Sequence, residues 1–197
     1  MVEQIHASRD EILSPTLLRY SAETQFHSEL AALNAINWAL SQSLDLDRVL
    51  ELALESTLRV LGSRVGCIHT PADTEPDEFQ LRVHVGLPPE FAQSIEVLPH
   101  DDPEVQRTIA SGGAVVSDRG ETLLGQLTSD DSGVGQSTSE AWVCFPMVAR
   151  NRFQGLMSIL IDEFAPDYAR LLKTIGQHVG VAIDNAKLYR RVQQDAH

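Results

Sequence analysis

Four side chains stand out for the chemistry their types and spacing allow. Arg82 and His84 lie two residues apart in the run Phe79 to Val85. In a β-strand, residues i and i+2 share a face, so the two would point together. A guanidinium fork can hold two oxygens of a carboxylate or phosphate, which makes the pair a candidate ligand site on the sheet face away from the helices. The plainer alternative is that both decorate the exposed face of an edge strand. Trp142 and Cys144 repeat the spacing in a later run. They could line a pocket or fill core, and filling core suits their size and apolarity. Cys67 and His69 share a face of a third run. A thiol at Cys67 or Cys144 could support redox chemistry. His100 with Asp101 and Asp102 could bind a metal or cap the following helix, and capping is the stronger reading. No Ser/His/Asp set or carboxylate pair can be assembled from the sequence, so no catalytic residue and no metal ligand is assigned.

Composition narrows the classes. The chain has 197 residues and a net charge of −13. Between Asp73 and Glu104 there are nine acidic residues and one base, Arg82. Such a surface repels phosphate backbones, which argues against nucleic-acid binding. No apolar run approaches the ~20 residues that cross a bilayer, and MVEQIHASRDEIL lacks a signal peptide's basic start and apolar centre. The expected location is cytoplasmic. The two cysteines are single, with no zinc spacing between Cys and His.

The elements that would hold these residues can be read in order. Residues 1–13 are polar and expected to form a loose arm. Ser14-Pro15 is a helix start, a capping side chain before a proline that needs no N–H. From there to Leu40, Phe26, Leu30, Leu33, Asn37 and Leu40 make a heptad-like stripe, widened by Ile36. It fits a helix packed on its own domain or one side of a dimer seam. DRVLELALESTLRVLG reads as a second helix ending at Gly62. Strands follow at Ser63–Thr70 and Phe79–Val85, the latter with Phe79, Leu81, Val83 and Val85 on one face. A weak strand covers Ile95–Leu98, a helix follows Asp102-Pro103, and a short strand covers Ala114–Ser117. Residues 118–140 read as a long loop, which in a compact domain is usually a lid or binding loop. Leu123, Leu124 and Leu127 could make a helical turn there. WVCFPMVARNRFQGLMSIL is a hairpin about Arg150-Asn151. Pro146 marks a bulge or edge, and Gly155 a close backbone approach. The last helix runs from Pro166 to about Gln194. Its small residues Gly176, Gly180, Ala182 and Ala186 would admit a second helix.

Taken in order, LNAINWALSQSLDLDRVLELALESTLRVLG, RVHVGLPPEFA, ASGGAVVSD, WVCFPMVARNRFQGLMSIL and FAPDYARLLKTIGQHVGVAIDNAKLYRRV resemble a GAF domain with its flanking helices. The resemblance covers residues 26–192 of a single domain, 14–197. It implies an α+β fold: a PAS-like central antiparallel sheet, N- and C-terminal helices on one face, loops and short helices over the other. It also implies a non-catalytic sensory and regulatory role. A small molecule would bind under the 118–140 loop, no cofactor being indicated. A homodimer would form through helices 14–40 and 166–194 and relay a signal to a linked output domain. The cyclic-nucleotide signature of the family is absent. The bilin-attachment Cys-His is not matched by Cys67-Ile68-His69, nor by Cys144. Two lone cysteines also fall short of the methionine sulfoxide reductases of the family. A ligand-free dimerisation scaffold and a small thiol enzyme are the rival expectations.

Overall fold

The computed structural model describes residues 30–195 except 32, 39, 42, 73–76, 130–139, 163 and 165. The expected arm, Phe26 and most of the expected 118–140 loop therefore lie outside the described residues.

Apolar residues at helical spacing build the first layer. The helical residues between 30 and 40 form α1, with Ile36 and Leu40 buried, Leu33 partly buried and Leu30 exposed. α2 spans Leu46–Leu61; the Asp45 carboxylate accepts from Arg48 N–H at 3.0 Å to start it, and Gly62 ends it in the left-handed conformation. α6 spans Pro166–Asp195. These helices cover one face of a six-stranded sheet.

The strands are β1 (Gly66–Pro71), β2 (Glu78–Val85), β3 (Val97–Pro99), β4 (Val115–Val116), β5 (Ala141–Ala149) and β6 (Arg152–Ile161). Their spatial order is β3-β2-β1-β6-β5-β4, and every paired neighbour is antiparallel. The turn between β5 and β6 places Arg150 and Asn151 at φ 49° and 61°. Two successive positive φ values match the twist of a tight hairpin. α3 (Pro89–Ser94), α4 (Pro103–Ser111) and α5 (Gly120–Ser129) lie over the opposite face. The fold is the expected α+β arrangement.

Two apolar clusters sandwich the sheet. The inner one, under α1, α2 and α6, holds Leu50, Leu54, Ile68, Phe145, Met157, Ile159, Ile175 and Val179. The outer one, under α3, α4 and α5, holds Cys67, Phe79, Phe91, Leu123, Trp142, Cys144 and Leu156. Alternation along β5 and β6 sends successive residues to opposite clusters.

Three expectations change. Residues 120–129 are a ten-residue helix rather than loop, because Leu123 and Leu127 bury themselves on the sheet. The β2 face does not run unbroken. The register shifts between Ile68 and His69, where Ile68 pairs with Val83 but His69 with Leu81, leaving Arg82 as the extra residue. Leu81 then joins the outer cluster while Val83 packs on the inner one. Finally, Gly176 and Gly180 admit a strand, not a second helix. A Cβ on Gly176 would sit 2.2 Å from the Pro146 carbonyl oxygen, and one on Gly180 2.5 Å from that of Val148. α6 thus rests directly on the β5 backbone. The expected close approach at Gly155 is present: its φ is 151°, and a Cβ there would lie 2.2 Å from the His69 carbonyl oxygen. A register shift follows Met147, one residue past Pro146, in the half of β5 that β4 leaves unpaired.

Candidate functional site

The outer face of the sheet carries a row of polar side chains inside an apolar shell. β6 runs between β1 and β5, and the register sets Ser158 opposite both Cys67 and Cys144. All three are buried. Ser158 Oγ lies 2.8 Å from Cys144 Sγ, and the Cys144 thiol donates to Glu104 Oε1 at 3.0 Å. Glu104 comes from the first turn of α4, whose start is fixed when Asp102 Oδ1 accepts from the N–H groups of Glu104 and Val105. Its other carboxylate oxygen takes the Ser117 hydroxyl and Arg119 Nη1, the latter at 3.2 Å. Arg119 also reaches Asp102 Oδ2 through Nη2 at 2.6 Å. Arg119 immediately precedes α5, so this ion cluster ties the start of α5 to the start of α4 and, through Cys144, to β5.

Burial dominates the electrostatics. It pushes the Cys67 thiol up, and the nearby Glu104 charge adds to the effect. Burial and Glu104 push the Cys144 thiol up likewise, with Ser158 opposing. Neither sulfur is a thiolate near neutral pH, so neither is an activated nucleophile. His69 is buried on the same face. Burial lowers its pKa to about 4, against the pull of the Ile95 carbonyl. The neutral ring donates from Nε2 to the Ile95 oxygen at 2.7 Å, leaving Nδ1 4.0 Å from Cys67 Sγ. For Asp102, burial opposes ionisation, but the hydrogen bond and charge of Arg119 prevail and hold the carboxyl below its usual value. Arg119 is raised in turn: its burial penalty is exceeded by Asp102 and Glu104.

The residues nominated from the sequence separate. Trp142 and Cys144 lie together on the outer face, 1% and 0% exposed, with Trp142 edge-on to Phe91 at 6.0 Å between ring centres. Arg82, carried by the β2 bulge, turns to the helix side and pairs with Asp47 of α2 at 2.5 Å. His84 stands opposite Cys67 in the register but is exposed. Asp102 caps α4, while His100 accepts from Gln106 Nε2 at 2.8 Å. Among the described residues no group of three His, Cys, Asp or Glu side chains is placed to hold a metal ion. The sequence reading missed Glu104, Ser117, Arg119 and Ser158. Their one visible signal was Asp102-Pro103-Glu104, a helix start with an acid in its first turn.

Two depressions adjoin these elements. One, of about 280 Å³, opens above the ion cluster and is lined by Asp102, Glu104, Arg107, Asp118, Arg119 and Thr122. The other, of about 540 Å³, runs between α1 and α6 on the far side and includes Leu40, Leu44, His178, Val181 and Ala182.

A sheet with flanking helices on one face and short helices on the other is the architecture of GAF domains, and the GAF-domain family model matches residues 43–184. The chain belongs to the GAF family, a class of sensory and regulatory modules. Three solved structures set the fold in context. The GAF domain of a phosphoenolpyruvate-protein phosphotransferase from Coxiella burnetii aligns with a TM-score of 0.60 at 14% identity, over 84% of this chain and 98% of that one. The second GAF domain of DevS from Mycobacterium smegmatis aligns at 0.54 and 17%, over 75% and 99%. Free methionine-R-sulfoxide reductase from Neisseria meningitidis, in complex with its substrate, aligns at 0.54 and 14%, over 78% and 87%. No curated protein sequence matches the chain. No helix among the described residues is long and apolar enough to cross a membrane.

Proposed function

We propose that this chain is a non-catalytic sensory module that works in the cytoplasm as a homodimer. A small molecule acts on the outer face of the sheet, and the flanking helices relay the change to an output domain. The observation that carries this reading is the seat of α6. At Gly176 and Gly180 the helix meets the β5 backbone with no side chain between them. Trp142 and Cys144 occupy the opposite side of that same strand. A displacement of β5 by a ligand on the outer face would therefore be passed to α6 without side-chain slack to absorb it, shifting a two-state packing as ligand-driven switches do.

A second copy is the occupant we assign to the groove between α1 and α6. Leu44 and Val181 line it, and exposed Leu30 and Trp38 on α1 and Tyr189 and Val192 on α6 extend the apolar track along both helices. The same two helices on a second copy offer a self-complementary surface, as a two-fold interface requires. Similar solved structures support the output domain, since several are parts of longer proteins, among them residues 122 to 287 of a methyl-accepting chemotaxis protein and the second GAF domain of DevS.

Light scattering at tens of micromolar, the range of ordinary weak dimers, should return twice the chain mass. Val181→Glu should return the monomer mass with the fold retained. A wild-type monomer at that concentration overturns the dimer. A small thiol enzyme is the reading that the buried, protonated cysteines oppose. Sulfoxide or peroxide turnover that disappears in a Cys67→Ser/Cys144→Ser double variant would restore it.

A further inference from the structure

The helix α5 is held at its start by an ion cluster shared with α4. Its leading edge is fixed by Arg119 in the clasp of Asp102 and Glu104, and Gly120 lies against Trp142, where a Cβ would come within 3.2 Å of the Trp142 Cβ. Leu123 and Leu127 press into the outer cluster, and the helix packs chiefly on β5 and α3. It also carries an internal mismatch. The side-chain oxygen of Gln126 is buried with no hydrogen-bond partner, a defect that destabilises the closed position.

We propose that a latent ligand site lies beneath α5, closed by the clasp on Arg119, and that it takes a small aromatic or apolar molecule carrying a protonated nitrogen. The inference rests on the reading of the outer face as the sensory face and adds what opens it and what enters. The depression of about 280 Å³ above the clasp is the entry. When α5 lifts, Arg119 leaves with it, while Asp102 and Glu104 stay on α4. Glu104 is only 5% exposed. A buried carboxylate stripped of its cation is strongly unfavourable, so whatever stabilises the open form has to restore a positive charge there. The floor revealed by the movement is apolar and aromatic: Trp142, Phe91, Leu156 and Leu160 around the Cys67–Ser158–Cys144 row. That floor selects the body of the ligand, and the clasp selects its charged end.

The two cysteines report the movement, because both lie on this floor. In the full chain, labelling of Cys144 by N-ethylmaleimide under native conditions should be slow. Arg119→Gln should speed it on the order of tenfold or more, the size expected for losing hydrogen bonds to charged groups. Arg48→Gln removes an exposed arginine paired with Glu51 on α2, on the other face of the sheet, an equal change of charge, and should leave the rate near wild type. Asp102→Asn keeps the helix cap but loosens the clasp, and serves if Arg119→Gln does not fold. Labelling should depend weakly on low urea, the mark of local opening. In wild type, benzamidinium should change the Cys144 rate in a saturable way and raise the melting temperature, and benzoate at equal ionic strength should do neither. Equal rates for the Arg119 and Arg48 variants overturn the clasp. A urea dependence as steep as global unfolding overturns the separate movement of α5. Equal effects of benzoate and benzamidinium overturn the ligand class. None of these outcomes reads the α1–α6 dimer, which light scattering tests on its own.

Discussion

The two faces of the sheet are buried to the same degree and built from different chemistry. The inner face is mostly apolar: Ile68, Phe145, Met157 and Ile159 meet Leu50, Leu54, Ile175 and Val179, while α2 and α6 also bury Thr57 and Asp184. The outer face is also closed, yet it buries Cys67, His69, Cys144, Ser158, Glu104 and Asp102 among its apolar residues. An apolar core holds by volume and area alone, and it answers to nothing except a change of shape. A core with buried ionisable groups also depends on protonation and on the exact partner of each charge. A module that responds to its surroundings can place its rigid layer behind the sheet and its responsive layer in front. The strand β5, shared by both, connects them.

The largest effect should come from the rigid face. Phe145 is fully buried in the inner cluster, so Phe145→Ala should cost about 3–5 kcal/mol, read as a lower urea midpoint. The loss should be independent of pH between 5 and 8, since no titratable group forms that cluster. A pH-dependent loss would break the contrast between the faces. Next comes Glu104→Ala. It removes the acceptor of Ser117, Cys144 and Arg119 together. Losing one side of a buried ion pair destabilises by about 3 kcal/mol or more, and Arg119 keeping Asp102 as a partner places this variant at the low end. Chemical denaturation measures it; a loss within a few tenths of a kcal/mol of zero would show that the clasp does not hold α5.

His69 gives the outer face a pH dependence of known sign. In the fold its pKa is lowered to about 4, while an unfolded histidine titrates near about 6.5. The unfolded chain therefore binds the extra proton between those values, and stability falls as pH drops through that window. The contribution is fully present above about pH 6.5 and amounts to roughly 3 kcal/mol lost by about pH 4. Comparing urea midpoints of wild type and His69→Gln from pH 7.5 to 4 isolates it. The gap between the two curves should close on acidification, and parallel curves would overturn the assignment.

What could be read from the sequence follows from the same division. Periodicity reports which side of an element is apolar, so α2, α4, α6 and the β5–β6 hairpin were legible from residues such as Val49, Leu50, Leu172 and Ile175. Trp142 and Cys144 were correctly paired on one face because β5 alternates without interruption up to Met147. The cluster around Glu104 was not legible. Its members come from α4, the segment before α5, β5 and β6, and polar residues carry no period that would announce their burial. α5 was read as loop because its Gly, Ser and Thr content outweighs three leucines until a tertiary surface receives them. Gly176 and Gly180 looked like room for a helix, and only the third dimension shows a strand there.

Arg82 is the sharpest case, and it supplies the smallest effect. Strand alternation set it beside His84 on the ligand face; one extra residue in β2 carries it to the helix side, against Asp47. Asp47 is 66% exposed, so the pair is screened by water and should contribute no more than about 1 kcal/mol. A double-mutant cycle with Arg82→Ala and Asp47→Ala, followed by urea denaturation, should return a coupling of that size. The same variants should leave the labelling rate of Cys144 unchanged, because Arg82 and Asp47 pair on the helix side of the sheet and the clasp at Arg119 lies on the other. Faster labelling of Cys144 in Arg82→Ala would mean that the bulge communicates through the sheet, and that the two faces are less independent than their chemistry makes them.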